Sequence, residues 1–181
     1  MKDDYSRRTV IKAGAGTVLA LSGAAEMANA QENKGMMMAS DDLDAVEFGQ
    51  SLRGMGFNLL VSDLDATLEF SKEILHATII NASEGFAVVQ RSGAIWMLHA
   101  DSTYHSNPLA GFVKGVEGRG QGIELRLYDL DPDKAEARAN EKGYTVLAGS
   151  ANKPHGLREC YILDPDGYCW VPSRALREGE E

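Results

Sequence analysis

A ten-residue pattern that occurs twice constrains this chain most. Residues 56–65 read GFNLLVSDLD and residues 122–131 read GIELRLYDLD, sharing the leading glycine, a leucine and the closing Asp-Leu-Asp. Each copy is a strand pattern that runs into a helix start. A second echo closes each half, Gly93-Ala94-Ile95-Trp96 and then Gly167-Tyr168-Cys169-Trp170. The first pair is offset by 66 residues (56 to 122) and the second by 74 (93 to 167), as expected of two homologous modules whose loops differ in length. Two copies fall short of the three or more that a solenoid needs, so the halves are expected to pair with each other.

The first module is expected over residues 53–101. After its strand, Asp65 is the expected N-cap of a helix through about Leu75, with Leu68, Phe70, Ile74 and Leu75 on its apolar face. Strand patterns follow at 78–81, 86–91 and 94–99, separated by Ser83-Glu84-Gly85 and Ser92-Gly93. A connector spotted with Gly111, Gly115, Gly118 and Gly120 spans 102–121. The second module, 122–174, repeats the order with clearer punctuation: Asp131 caps, Pro132 opens the helix and Gly143 stops it. Its later strands are expected at 145–148, 159–163 and 168–172, the last two joined by the turn Asp164-Pro165-Asp166-Gly167. Each half therefore reads βαβββ, an α+β architecture, and residues 175–181 form a tail.

The N-terminus reads as a targeting segment rather than as part of the fold. Arg7-Arg8 and Lys12 precede the apolar run AGAGTVLALSGAA, which ends at the small-residue pattern Ala28-Asn29-Ala30. This resembles a bacterial twin-arginine export signal over residues 1–30, and implies the twin-arginine export machinery as a partner and a periplasmic or secreted location. The run is shorter than the roughly 20 residues that a permanent membrane span needs, so none is expected after cleavage. Residues 31–52 form a leader in which Ser40 can cap a short helix; Met36, Met37 and Met38 are assigned no chemistry.

With 44% hydrophobic and 25% charged residues, 181 residues suffice for an ordinary globular core. The net charge of −9 argues against nucleic acid as a partner, because no basic stripe is available to release counterions from phosphates. No phosphate-loop or serine-elbow context occurs.

A doubled βαβββ chain whose second half closes in DPDGY, after KPHGLREC, resembles the vicinal oxygen chelate superfamily, which includes glyoxalase I, extradiol dioxygenases, fosfomycin-resistance enzymes and bleomycin-resistance proteins. The resemblance covers about residues 53–174. It implies two modules forming a curved mixed sheet around a cavity with helices outside, and a homodimer. It also implies metal-ligand positions on the first and last strands of each module. Carried onto this chain, these are Gly56 or Asn58, then Glu124, Met97 and Val171. Methionine and valine cannot hold a hard divalent ion, so no metal cofactor is expected in the family position. A rearranged metal site, if present, would draw on His99, Glu124 and His155.

Period-two alternation places Asn58, Leu60 and Ser62 on one face, with Glu124, Arg126 and Tyr128 on the equivalent face of the second module. Ile95, Met97 and His99 share that side, as do Cys169, Val171 and Ser173. The candidate ligand-binding residues are therefore Asn58, Met97, Arg126, Tyr128, His155 and Val171, with Glu124 and His99 as candidate catalytic groups. Such a lining suits a small organic ligand with a polar or anionic group. The Glu124–Arg126 pair can equally neutralise itself. Trp96 and Trp170 alternate to the other side and are expected to pack against the helices. If Leu163 faces Tyr168 in the last hairpin, Cys160 and Cys169 are diagonal and remain free thiols.

Two functions follow from this reading: an exported, metal-free small-molecule-binding protein of the bleomycin-resistance kind, or a glyoxalase- or dioxygenase-like enzyme using Glu124 with His99 or His155. Sequencing the exported protein from its native host is expected to give an N-terminus at Gln31. A start at Met1 in a cytosolic fraction would overturn the export signal.

Overall fold

The computed structural model describes residues 45–103 and 105–180. The expected export signal, Met36 to Met38 and the capping Ser40 lie outside the described residues. A short helix, α1 (Ala45–Ser51), with no buried residue precedes the first module. That module runs β1 (Phe57–Val61), α2 (Leu64–Glu73), β2 (Thr78–Ser83), β3 (Phe86–Arg91) and β4 (Ala94–Ala100). The connector carries a 3-10 turn at Asp101–Thr103 and a single-turn helix, α3 (Ala110–Val113). The second module runs β5 (Glu124–Tyr128), α4 (Pro132–Lys142), β6 (Val146–Asn152), β7 (Leu157–Leu163) and β8 (Cys169–Ala175). Both modules are βαβββ, as the repeat requires. Among the described residues no helix is long and apolar enough to cross a membrane.

The strands form two four-stranded sheets of identical topology, β1-β4-β3-β2 and β5-β8-β7-β6. In each, the first strand pairs parallel with the last and the other pairings are antiparallel. The parallel pairing is possible because a helix and two strands intervene, enough chain to make the crossover.

The helix ends follow from local chemistry. Asp131 caps α4 by accepting from the Asp133 and Lys134 amides, Pro132 opens it, and Gly143 at φ 79° closes it. In α2 the cap is Asp63, not the expected Asp65: its carboxylate accepts from the Ala66 amide at 3.0 Å, and Asp65 sits one residue inside the first turn. The observed caps are thus 68 apart (63 to 131). Strand register agrees, since Phe57 pairs with Trp96 and Leu125 with Trp170, again 68 apart (57 to 125). The sequence echo is two residues out of step with the structural repeat. A shift of two conserves which face each strand residue occupies, so the alternation argument survives it.

One apolar core serves both modules. Leu59, Val61, Phe70, Trp96 and Leu98 from the first join Leu125, Leu127, Ala139, Ile162 and Trp170 from the second. Trp96 and Trp170, expected against the helices, pack on each other with ring centroids 5.1 Å apart. An edge-on contact between Phe70 and Tyr144 at 4.9 Å continues the junction. Such ring pairs contribute about 0.5–1.5 kcal/mol beyond the area they bury.

The polar half of the junction centres on the DPDG turn. Both carboxylate oxygens of Asp166 accept from the Ser62 amide, at 3.0 and 3.1 Å, and Arg119 Nε approaches Asp166 at 3.4 Å. Arg119 also makes a bidentate bridge to Asp101 at 2.7 and 2.8 Å and donates to the Leu60 carbonyl. The connector can approach this closely because it carries glycine. A Cβ at Gly120 would lie 2.5 Å from Tyr168 Cα, and one at Gly167 would lie 2.5 Å from Gly118 Cα. Asp164, buried in the turn, accepts from the Asp166 and Tyr168 amides and from Trp170 Nε1, and burial pushes its carboxyl up to about 6.

Removing one partner of a buried ion pair strands the other. Asp166→Ala is expected to cost about 3 kcal/mol in urea unfolding. Gly120→Ala, which forces backbone apart, should cost about 2 kcal/mol. Wild-type stability for either variant would show that the modules do not depend on this junction.

Candidate functional site

With one face of each sheet committed to the core, the opposite face is left for ligands. On module two that face carries Glu124 and Arg126 from β5, Cys169 and Val171 from β8, and Glu159, Tyr161 and Leu163 from β7. The placement of the β7 residues depends on the last hairpin. Leu163 pairs with Cys169, not with Tyr168, so the observed register is one residue from the expected one. A one-residue slip moves a whole strand to the other face. It puts Glu159, Tyr161 and Leu163 beside Cys169 and turns Cys160 inward, where its thiol donates to the Pro132 carbonyl. The two cysteines are free thiols on opposite faces.

Glu159, absent from the candidate residues, is the centre of the polar cluster that results. It is 1% exposed and bonded on both oxygens. Oε1 accepts from Arg126 Nη2 and lies 2.8 Å from His155 Nε2, and Oε2 accepts from the Tyr161 hydroxyl at 3.2 Å. Arg126 Nη1 donates to Glu124 Oε2 at 2.9 Å, so one guanidinium bridges two carboxylates. Burial alone would raise the Glu159 carboxyl, but the bonds from His155, Arg126 and Tyr161 outweigh it and hold it below the usual value. Arg126 is held above its ordinary value: burial opposes its charge, and the Glu124 hydrogen bond and the Glu159 charge overcome that.

The cluster borders a cleft of about 670 Å³ at the end of the sheet nearest the connector. Its walls are the glycine-rich segment 118–123, Leu147 of β6, and Tyr161, Leu163, Cys169 and Glu124. Tyr161 and Glu124 thus belong to both cleft and cluster. Burial raises the Cys169 thiol, and the nearby Glu124 and Asp164 charges add to it, so the sulfur facing the cleft is protonated. A second cleft, of about 480 Å³, lies between β1 and the connector and is lined by Leu60, Asp101, His105 and Lys114 among others.

The remaining candidates are distributed less compactly. Asn58 and Met97 are register partners on the first sheet, where His99 packs its ring 4.6 Å from Phe86 and burial lowers its pKa. The two candidate catalytic groups are therefore on different sheets, Glu124 engaged with Arg126 and His99 packed at a tilt against Phe86. Tyr128 is 57% exposed at the end of β5. Val171 has the right face but is fully buried, so it cannot touch a ligand without rearrangement. The structure brings together Glu124, Arg126 and His155, and does so through Glu159.

The residues in the expected metal-ligand positions do not suit a hard divalent ion. The 68-residue register makes Gly56 the counterpart of Glu124 and Asn58 the counterpart of Arg126. Glycine, methionine and valine offer no hard side-chain donor, and the carboxylate that remains is bound to a guanidinium. The rearranged trio of His99, Glu124 and His155 is not assembled. Among the described residues no three His, Cys, Asp or Glu side chains are grouped to hold a metal ion.

Comparison with known proteins places this geometry in a family. The model of the glyoxalase/bleomycin resistance protein/dioxygenase superfamily matches residues 55–171, the span of both modules and the connector. The chain belongs to that superfamily. Solved structures carry the same fold. A glyoxalase/bleomycin resistance protein/dioxygenase from Nocardioides is 20% identical, with 84% of this chain and 96% of that one covered at a TM-score of 0.53. A glyoxalase-related enzyme from Fulvimarina pelagi is also 20% identical, covering 68% and 88% at 0.56. A family enzyme from Burkholderia phytofirmans is 17% identical, covering 67% and 97% at 0.55. No curated protein matches the chain.

Within this superfamily fold, the depressed Glu159 carboxyl links stability to pH. Its contribution is fully present above the unfolded carboxylate value near 4.5 and is lost as pH falls through the lower folded value. Glu159→Gln is expected to lower stability at pH 7 by about 2 kcal/mol. It should also flatten the loss of stability that the wild type shows below pH 4.5 in acid titrations. An unchanged acid limb would remove Glu159 from the role described.

Proposed function

We propose that this superfamily member binds a small organic molecule on module two, without a metal in the family position. The observation that carries the reading is the cleft itself: about 670 Å³, walled by aliphatic side chains and glycine backbone, with Tyr161, Glu124 and Gln121 among its polar groups. That volume and composition fit a pocket for a metabolite-sized ligand. The chemistry of the neighbouring charges supports binding over catalysis. Glu124 Oε2 is already engaged by the Arg126 guanidinium at 2.9 Å, and the Glu159 carboxyl is held below its usual value by His155, Arg126 and Tyr161, which makes it a weak base. The location proposed is outside the cytoplasm, after export through the twin-arginine route, and it rests on Arg7-Arg8 and the apolar run behind them. A homodimer is proposed as the working form. It is supported by large apolar side chains left exposed before β1 and in the connector, among them Met55 at 81% and Phe112 at 77%.

Cys169 supplies a built-in reporter, since its thiol lines the cleft while Cys160 is fully buried. In a thermal-shift screen of small metabolites against the full chain, a true cleft ligand is expected to raise Tm and to slow alkylation of Cys169. Hits that stabilise without protecting Cys169 would place binding elsewhere. Metal analysis of protein purified without chelators is expected to give well below one equivalent, and a stoichiometric divalent ion would overturn the metal-free reading.

A further inference from the structure

We propose that the cleft on module two receives an organic cation, whose ammonium takes the place now filled by Lys153 on the Tyr161 ring and faces the Glu124 carboxylate. This rests on the small-molecule reading above and names the class of molecule.

Three observations converge on it. Lys153 Nζ lies 5.1 Å from the centroid of the Tyr161 ring, within the range of a cation–π contact. Lys153 is not itself a wall of the cleft, but Tyr161 is, so this ring brings a cation-holding surface to the cleft's edge. The Tyr161 hydroxyl donates to the Glu159 carboxylate, which increases electron density on the ring.

The charge count points the same way. Arg126 contributes one positive charge against the two negative charges of Glu124 and Glu159. Lys153 is bonded to neither carboxylate: their contacts are with Arg126 and His155. A cationic ligand that displaced Lys153 would keep the balance. An anionic one would bring a third negative charge beside two.

Lys153 is also built to leave. It stands at the tip of the β6–β7 hairpin, where its amide donates to the Leu157 carbonyl at 2.7 Å and Gly156 turns the chain at φ 84°. Its backbone is fixed, while its four-carbon stem can carry the ammonium into water. The half-exposed Glu124 carboxylate, bonded to Arg126 through Oε2, remains at the cleft wall to meet the incoming charge.

The test uses two probes of one shape on the full chain: benzyltrimethylammonium and its uncharged carbon isostere, neopentylbenzene. Binding is followed by calorimetry and by protection of Cys169 from alkylation. The cation is expected to bind more tightly than the isostere. Lys153→Met should strengthen cation binding by about threefold, the size of one exposed cation–π contact. Glu124→Gln should weaken the cation and leave the isostere unchanged, with melting temperatures confirming that both variants fold. Equal binding of the two probes, or no gain in Lys153→Met, would overturn the cation assignment while leaving the cleft a small-molecule site. Protection of Cys169 by neither probe would count against both.

Discussion

The architecture depends on a single buried arginine. Arg119 belongs to neither module, yet it ties Asp101 at the end of the first to Asp166 in the last turn of the second, and holds the Leu60 carbonyl as well. Asp166 completes the link through the Ser62 amide. The Arg119 side chain is 5% exposed and that of Asp166 3%, so the interaction works at a lower dielectric than a surface pair, and loss of either partner leaves a charge stranded. The connector's glycines are a consequence. Gly118 and Gly120 let the backbone touch the DPDG turn, without which the guanidinium could not reach both carboxylates. Because that connector also walls the cleft, the same contact that joins the modules shapes the site.

Much of this was legible in the sequence, and the parts that were not share one cause. The doubled βαβββ order, the α4 caps and the face assignments of β1, β4, β5 and β8 all follow from local pattern. What local pattern does not determine is register between strands. The echo of Asp63 and Asp65 with Asp129 and Asp131 offers two alignments, and only cap geometry and the pairing of Phe57 with Trp96 separate them. That error was harmless because it was even. The error in the last hairpin was odd, and it hid Glu159: with Leu163 opposite Tyr168, Glu159 and Tyr161 fall on the core side. A buried glutamate among apolar residues would then have had no partner, and that contradiction was itself the missing signal.

The cluster around Glu159 limits the chemistry available to the family fold in this chain. Its carboxylate spends both oxygens on Arg126, His155 and Tyr161, and Glu124 spends one on Arg126. The bonds to Glu159 lower its proton affinity and fix its orientation together, which suits recognition of shape and charge more than transfer of a proton. Duplication has therefore been followed by divergence. Module two carries a charged network on its open face, whereas the positions of module one that match Glu124 and Arg126 hold Gly56 and Asn58.

The Trp96–Trp170 contact has a spectroscopic consequence. These are the two tryptophans of the chain, one from each module, and both are sealed in the joint core 5.1 Å apart. Their environments differ, because Trp170 Nε1 bonds to Asp164 while Trp96 Nε1 is buried with no hydrogen-bond partner among the described residues. Tryptophan fluorescence and the exciton couplet of the indole pair consequently observe the docking of the two modules as such.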